Sequence, residues 1–381
     1  FDRVSITDRV VPEDVEGLDA ARAIVAGSGI STRGHRVARI ARLGGGGWKL
    51  ISSKAVSTDS GYLGLGGSKD TGLWAAGFAM KFDSMAPLVL RRKQNGSWQR
   101  TSVPRPTRST TLTDIASWKR NSAWTVGYSL KAPGVRRPYA ARWDGRRWRP
   151  RSPAIAAGER GALASVWSSP KAGTWAAGSI ERRGVEKPYV IVRTRGRWKR
   201  VALPSTGAGA LSAIAMRRTW DGWAVGYRIG TGGMQPLVLR KDQEGWKSFT
   251  PPEAGGIGKL TDVTVDGDGV VHVTGTVWAE GLRKMRSFVS TLGESGWTTR
   301  RLGALVSHSQ ATAVDGDPSA EGWVAAGTLR TGALAQTCEE VVVAAAKQKR
   351  TRKARRRTAR TAEAAGPDLA LHPAGAGTAP S

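Results

Sequence analysis

Cysteine is nearly absent from this chain. Among 381 residues there is one, Cys338, so no intramolecular disulfide can form and no zinc site can be built on several thiolates. Histidine is also scarce, with four residues and no ligand pattern around them. No apolar run approaches the roughly 20 residues that a membrane-spanning helix needs. We therefore expect no metal site, no cofactor and no transmembrane segment, and a fold that depends on packing alone.

Helical periodicity with caps is missing as well, and a repeat takes its place. An apolar run ending in Gly recurs every 48 to 52 residues, at Gly27, Gly77, Gly127, Gly178, Gly226, Gly275 and Gly327. A turn followed by Trp comes 20 to 22 residues after each of the first six glycines, at Trp48, Trp98, Trp148, Trp198, Trp246 and Trp297. Chance does not keep two marks in register through six cycles, so the repeat is established.

Each repeat unit predicts four short strands. In the third unit these are residues 112–117, 124–128, 139–143 and 148–151, with the hairpin signal Asp144-Gly145 between the last two. Four-stranded units of this period build propellers. The predicted fold is therefore all-β, a seven-bladed β-propeller of four-stranded antiparallel blades. The repeat Gly should permit close packing of adjacent blades, and the Trp residues should fill the space between them.

The seventh unit lacks a fourth strand after Gly327. The first residues, Phe1-Asp-Arg-Val-Ser-Ile, align with the fourth strand that begins at Trp198, so the N-terminal strand should complete the last blade and close the ring. We assign residues 1–346 to the propeller. Residues 347–381, first rich in Lys and Arg and then in Ala, Gly and Pro, should form a disordered basic tail or linker.

The repeat unit resembles the kelch and Asp-box class of propeller repeats, on its Gly-ended second strand and its Trp turn about twenty residues later. Its Trp-Ala-Val-Gly runs also resemble uncharacterised secreted propellers of actinobacteria. The likeness covers residues 1 to 346 and implies a fold, since propellers host many unrelated activities. It departs from kelch units in lacking paired glycines, and meets the Asp-box pattern only loosely, at Asp144-Gly145 and Asp242.

The chain is strongly basic, with 59 Lys and Arg against 30 Asp and Glu. The tail from Lys347 holds nine cations and two acids, so residues 1–346 keep a net charge of +22. Every loop between the second and third strands carries a cation, and propeller symmetry should gather them around one mouth of the channel. The candidate binding residues are Arg33, Arg36, Lys81, Lys131, Arg136, Arg137, Arg182, Arg183, Lys187, Arg228, Arg283, Lys284, Arg286 and Arg330.

These features favour a noncatalytic binding or scaffold module that takes an anionic polymer or acidic surface. A protein partner is the second option, and we expect a monomer outside the cell or at its surface. The alternative is a carbohydrate-active enzyme, sialidase-like or lyase-like, with its site at the channel mouth. Acids and a Tyr around the channel would favour the enzyme, and a mouth lined by cations and small residues would favour binding. No catalytic residue can be named from the sequence.

Overall fold

The computed structural model describes residues 2–6, 10–19, 22–44, 47–51, 59–68, 71–253, 256–278, 285–302, 308–316, 322–330 and 340–347. Regular structure in these ranges is entirely β, as predicted. Residues 1–347 belong to one compact unit. The tail predicted for residues 347–381 falls outside the described residues from 348 onward, and the domain boundary stays a prediction.

Twenty-eight strands are described, and the first is β1 (Asp2–Ile6). Blade 1 contains β2 (Val11–Asp19), β3 (Arg22–Ile30), β4 (Arg36–Gly44) and β5 (Gly47–Ile51). Blade 2 contains β6 (Ser60–Gly66), β7 (Trp74–Lys81), β8 (Ser84–Arg92) and β9 (Trp98–Thr101). Blade 3 contains β10 (Ser109–Lys119), β11 (Ser122–Ala132), β12 (Val135–Trp143) and β13 (Trp148–Pro150).

Blade 4 contains β14 (Arg160–Ser169), β15 (Gly173–Arg182), β16 (Val185–Thr194) and β17 (Arg197–Arg200). Blade 5 contains β18 (Gly209–Arg218), β19 (Asp221–Gly230), β20 (Gly233–Lys241) and β21 (Trp246–Phe249). Blade 6 contains β22 (Ile257–Val265), β23 (Val271–Trp278), β24 (Met285–Gly293) and β25 (Gly296–Leu302). The remaining strands are β26 (His308–Gly316), β27 (Gly322–Arg330) and β28 (Glu340–Lys347).

The predicted count of seven blades needs correction to six consecutive blades and one composite sheet. Only blades 1 to 6 are each formed by four strands that follow one another in the chain. The remaining four-stranded sheet has the order β1-β28-β27-β26 and joins the two ends of the propeller. Within it β1 pairs antiparallel with β28, from Asp2 opposite Ala345 to Ile6 opposite Val341. The chain cannot supply a seventh consecutive blade because its last sheet takes its edge strand from the N-terminus.

The two sequence marks of the repeat contact each other between neighbouring blades. The Trp that opens the second strand of one blade packs edge-on against the turn Trp of the next blade. The pairs and their ring-centroid distances are Trp74–Trp148 at 5.4 Å, Trp124–Trp198 at 5.3 Å, Trp175–Trp246 at 6.2 Å and Trp223–Trp297 at 6.4 Å. Because each pair fills one interface between blades, the two marks must recur in the same phase.

The repeat Gly has a different neighbour from the one expected. A Cβ on Gly127 would lie 2.1 Å from the carbonyl oxygen of Thr111, in the first strand of the same blade. Gly77, Gly178 and Gly226 meet the corresponding carbonyl oxygen of their own first strand at 2.0 to 2.1 Å. A bulge follows at this point, between Leu112 and Asp114 in blade 3. The glycine therefore permits the first strand to bend within its own blade, and does not serve the contact between blades.

Replacing Trp124 with Ala should lower the free energy of unfolding by about 3–5 kcal/mol, because it empties a buried aromatic site. Trp124 is 3% exposed, packs on Trp198 and lies under the guanidinium of Arg193 at 4.7 Å. Chemical denaturation measures the change. Trp220→Ala is the matched control, since Trp220 lies in a turn and is 41% exposed. Equal losses in the two variants would contradict the structural role of the repeat Trp.

Removing residues 1–6 should lower the thermal midpoint, because β28 would lose its partner and become an unpaired sheet edge. A variant in which Gly and Ser replace residues 2–6 keeps the chain length and should show the same loss. Differential scanning calorimetry measures both. An unchanged midpoint in the deletion would show that β1 adds nothing to the closure of the ring.

Candidate functional site

The predicted cations lie at the ends of the hairpins between second and third strands. Because the blades share one orientation around the ring, these hairpins and the starts of the first strands form one surface, here called the hairpin face. The exposed candidates on it are Arg33, Arg36, Lys81, Lys131, Arg136, Arg182, Arg183, Lys187 and Arg228, and Arg137 and Arg286 are half-buried. Arg283 and Lys284 lie outside the described residues. Arg330 ends β27, and its side chain is not described.

Two cations on the hairpin face are neutralised by carboxylates. Arg36 contacts Glu13 at 3.3 Å and donates to Ser28, and Arg108 contacts Asp83 at 2.7 Å. The other exposed candidates have no ion pair with any described residue. Their charge is therefore available to a ligand.

Blades 3 and 4 carry the densest group of these free cations. The Arg136 guanidinium stacks on the Tyr128 ring at 4.9 Å, which holds it in place. Arg182, Arg183 and Lys187 surround the next hairpin, and Arg183 adopts a left-handed backbone with φ of 53°. The neighbouring Glu186 is already engaged, since it accepts hydrogen bonds from Ser179 and from the Tyr227 hydroxyl. Both oxygens of this carboxylate thus accept from neutral donors, and no described carboxylate forms an ion pair with Arg182, Arg183 or Lys187.

The central cavity of the propeller is lined by acidic side chains. It measures about 590 Å³ and is lined by the first strands of the sheets, towards the loops that join first and second strands. Among the described residues, its lining contains five carboxylates and no Lys or Arg; the five are Asp14, Glu16, Asp114, Asp262 and Asp315. Its walls are acidic, and the cations lie on the hairpin ends at the other side of the ring. That these cations surround the mouth of the channel on their own side stays a prediction.

Three of these aspartates satisfy backbone donors of the inner strands. Asp114 accepts the amide of Ile115 at 2.6 Å and that of Val166, in the next blade, at 2.7 Å. Asp14 does the same for Val15 and Leu65, and Asp262 for Val263 and Val314. Ser165 accepts the amide of Ile214 at 3.4 Å. Together these side chains supply an acceptor for one amide of every inner strand, which would otherwise face the cavity unpaired.

An aspartate occurs at this position where the preceding blade has a residue without an acceptor group. The equivalent residues in blades 2 and 5 are Gly64 and Ala213, which cannot accept a hydrogen bond. The following strands therefore rely on their own aspartate, Asp114 in blade 3 and Asp262 in blade 6. Asp114 and Asp262 each lie 13 residues before a repeat Gly, and Asp14 lies 13 residues before Gly27. That spacing was readable in the sequence and was missed.

The other two carboxylates differ from each other. Asp315 accepts the amide of Gly17 at 2.8 Å and the hydroxyl of Thr264 at 3.3 Å, and so links the composite sheet to blade 1. Glu16 has no hydrogen bond to any described residue. A glycosidase needs two carboxyl groups free to act on substrate. Of the described residues lining the cavity, only Glu16 meets that condition, and none is a Tyr.

Burial raises the pKa of the cavity carboxyl groups. It raises the pKa of Asp114 to about 7 and that of Asp262 to about 8, against the hydrogen bonds from backbone amides, which lower both. For Asp14, burial and the charges of Asp114 and Asp262 raise the pKa well above its usual range. The pKa of Glu16 rises likewise through burial and the charges of Asp315, Asp14 and Asp114. The cavity therefore binds protons near neutral pH.

Other candidate chemistry is accounted for by packing. His272 is 2% exposed, and its ring nitrogens contact Asp266 at 3.1 Å and Thr291 at 3.0 Å. Asp266 also accepts the amides of Asp268 and Val270, so the Asp-Gly-Asp-Gly segment is a turn. Within the described ranges, no three His, Cys, Asp or Glu residues are placed to hold a metal ion. The described part of the chain also has no helix long and apolar enough to cross a membrane.

No protein-family model matches this chain, and no curated protein does. Several solved structures match over most of its length. One is YCF48 bound to a D1 peptide, at 13% identity and a TM-score of 0.54, covering 91% of this chain and 95% of that one. The WD40 repeats of RRP9 match at 10% identity and a TM-score of 0.55, covering 90% of this chain and 96% of that one. A polysaccharide lyase of family PL25, an ulvan lyase, matches at 10% identity and a TM-score of 0.55, covering 90% of this chain and 95% of that one. At these identities the likeness shows a β-propeller fold alone.

The free energy of unfolding should fall as the pH rises from about 4 to about 8. The folded-state pKa values of Asp114 and Asp262 lie above the ordinary value of 3.8, so the native state binds more protons than the unfolded state in this window. Each extra proton contributes about 1.4 kcal/mol per pH unit. Asp262→Asn should therefore show a shallower decline, measured by urea denaturation at pH 5, 6, 7 and 8.

Asp144→Asn is the control for this measurement. Hydrogen bonds from Arg147, Arg146 and Arg149 hold the pKa of Asp144 below its usual range, so it stays ionised throughout the window. Its variant should keep the wild-type slope even if its stability drops. A wild-type slope in Asp262→Asn would show that the cavity does not bind the extra protons.

Proposed function

We propose that this propeller is a noncatalytic binding module that takes anionic polymers on its hairpin face. The observation that carries the proposal is the set of exposed, unpaired cations at equivalent hairpins, densest in blades 3 and 4. Exposed charges act over about 8 Å at physiological salt, so cations on adjacent hairpins can act together on a polyanion where single ones are screened. Binding should be weak and strongly dependent on salt.

The charge of the chain supports this proposal. A net charge of +29 attracts a polyanion, and the cavity lining offers it no Lys or Arg among the described residues. We further propose that the protein acts as a monomer outside the cell or at its surface, as a kelch- or Asp-box-like propeller. The enzyme alternative has little support, because Asp14, Asp114 and Asp262 are committed to backbone amides.

Replacing Arg136, Arg182, Arg183 and Lys187 with Ser should weaken heparin binding about tenfold at low salt, at about 0.4 kcal/mol for each exposed charge. The dependence of the dissociation constant on salt should also become shallower, because fewer counterions are released. Isothermal titration at several salt concentrations measures both. The full-length chain is used, so that the basic tail is the same in every variant.

The matched control replaces Arg146, Arg147, Arg195 and Arg197 with Ser. These four exposed arginines belong to the same two blades but lie on the hairpins between third and fourth strands, at the opposite end. The control lowers the net charge equally and should change heparin binding less. If both variants weaken binding to the same extent, net charge alone attracts the polymer and the hairpin face is not its site.

A further inference from the structure

A pocket of about 460 Å³ lies between blades 2 and 3, at the end of the ring opposite the hairpin face. It is formed by the turn between β8 and β9, the segment between β6 and β7, and the turn between β10 and β11 of the next blade. Its described lining contains no Asp or Glu, and every lining residue except Gly72 and Leu73 has a side chain that can donate a hydrogen bond. A pocket of this size and lining is suited to a small, polar anion.

Three cations line this pocket from two blades. Arg91 and Lys93 belong to blade 2, and Arg120 lies in the turn between β10 and β11 of blade 3. None of the three forms an ion pair with a carboxylate in the described part of the chain. Arg92 also lines the pocket, but it pairs with Trp98, which packs towards blade 1, so its side chain leaves the strand on the other face. The positive charge of the pocket therefore comes from Arg91, Lys93 and Arg120.

Arg91 is held in position by its neighbours. Its guanidinium lies over the Trp74 ring at 5.2 Å and donates a hydrogen bond to the carbonyl oxygen of Arg120 at 3.0 Å. Partial burial and the nearby charge of Arg120 lower the pKa of Arg91. The two guanidinium groups thus repel each other, and an anion that contacts both relieves this repulsion. Because Arg91 is already positioned, it loses little conformational freedom when it binds such an anion.

Two amide side chains lie beside the cations. Gln99 is directly opposite Arg91 on the neighbouring strand β9, so both side chains leave the sheet on the same face. The Oδ1 atom of Asn95 accepts from the amide of Ser97 at 3.1 Å and from its hydroxyl at 2.7 Å, which leaves the NH₂ group of Asn95 for a ligand. Amides of this kind bind hydroxyl groups. No aromatic side chain is among the described lining residues, so the pocket offers no surface for stacking a base.

We propose that the pocket between blades 2 and 3 binds a phosphate monoester of a small polyhydroxylated molecule. The phosphate contacts Arg91, Lys93 and Arg120, and the amides of Asn95 and Gln99 bind hydroxyl groups. A phosphate monoester carries a charge of about −1.5 to −2 at pH 7, so it matches three cations better than a carboxylate or a sulfate ester does. This site is separate from the hairpin face and does not depend on the proposed function.

Isothermal titration of the full-length protein with glucose 6-phosphate at physiological salt tests this site. Glucose 6-sulfate should bind about tenfold more weakly and glucose not at all, because charge-assisted hydrogen bonds supply the affinity. Inorganic phosphate should also bind more weakly, since it leaves the two amides without hydroxyl partners. Arg120→Ser should weaken the binding of glucose 6-phosphate about tenfold, because it removes one cation and keeps the carbonyl that Arg91 contacts. The thermal midpoint should stay the same, since Arg120 is exposed in a turn.

Arg100→Ser is the matched control. It removes the same charge next to Gln99, but Arg100 pairs with Leu90, which packs towards blade 1, so it faces away from the pocket. This variant should keep the affinity of the wild type. Equal weakening in the two variants, equal affinity for glucose 6-phosphate and any of the other three ligands, or no binding of glucose 6-phosphate overturns the inference. Heparin binding should be unchanged in Arg120→Ser, so this site and the hairpin face can each fail alone.

Discussion

The backbone amides of the inner strands impose the constraint on which the propeller depends. Each inner strand carries an amide after its bulge that points towards the neighbouring strand and the cavity, where an unpaired donor is costly. Asp14, Asp114 and Asp262 each accept two of these amides, one from their own strand and one from the next sheet. The ring is thus held at its centre by side chains that bridge adjacent blades. Asp315 bridges the composite sheet and blade 1 in the same manner.

Further from the axis, the blades are held by aromatic packing. The second-strand Trp of one blade meets the turn Trp of the next, and in three interfaces an Arg guanidinium covers the indole of the second-strand Trp. The guanidinium plane stacks on the ring, and partial burial there lowers the pKa of Arg91 and Arg193. Stacking of Arg on Trp between blades therefore accounts for part of the high Arg and Trp contents of the chain.

The charges of the protein are separated in space. Carboxylates line the cavity, where burial raises their pKa and favours the protonated form. Cations occupy the hairpin face, accompanied by exposed Ile, Phe, Val and Trp side chains. A single net charge of +29 conceals this arrangement. An anionic ligand matches the outer face, whereas the cavity offers it no Lys or Arg among the described residues.

Sequence alone determined the all-β class, the four-stranded unit and the pairing of β1 with the last sheet, because strand length, turns and repeat phase are local or periodic properties. It also identified the buried Trp positions from their phase. It placed the cations at hairpin ends, but it attributed Gly127 to a contact between blades and did not predict an acidic cavity. Tertiary structure decided those points. The carbonyl that a glycine faces and the side chains that line the central cavity depend on how strands and blades pack, which no local pattern encodes.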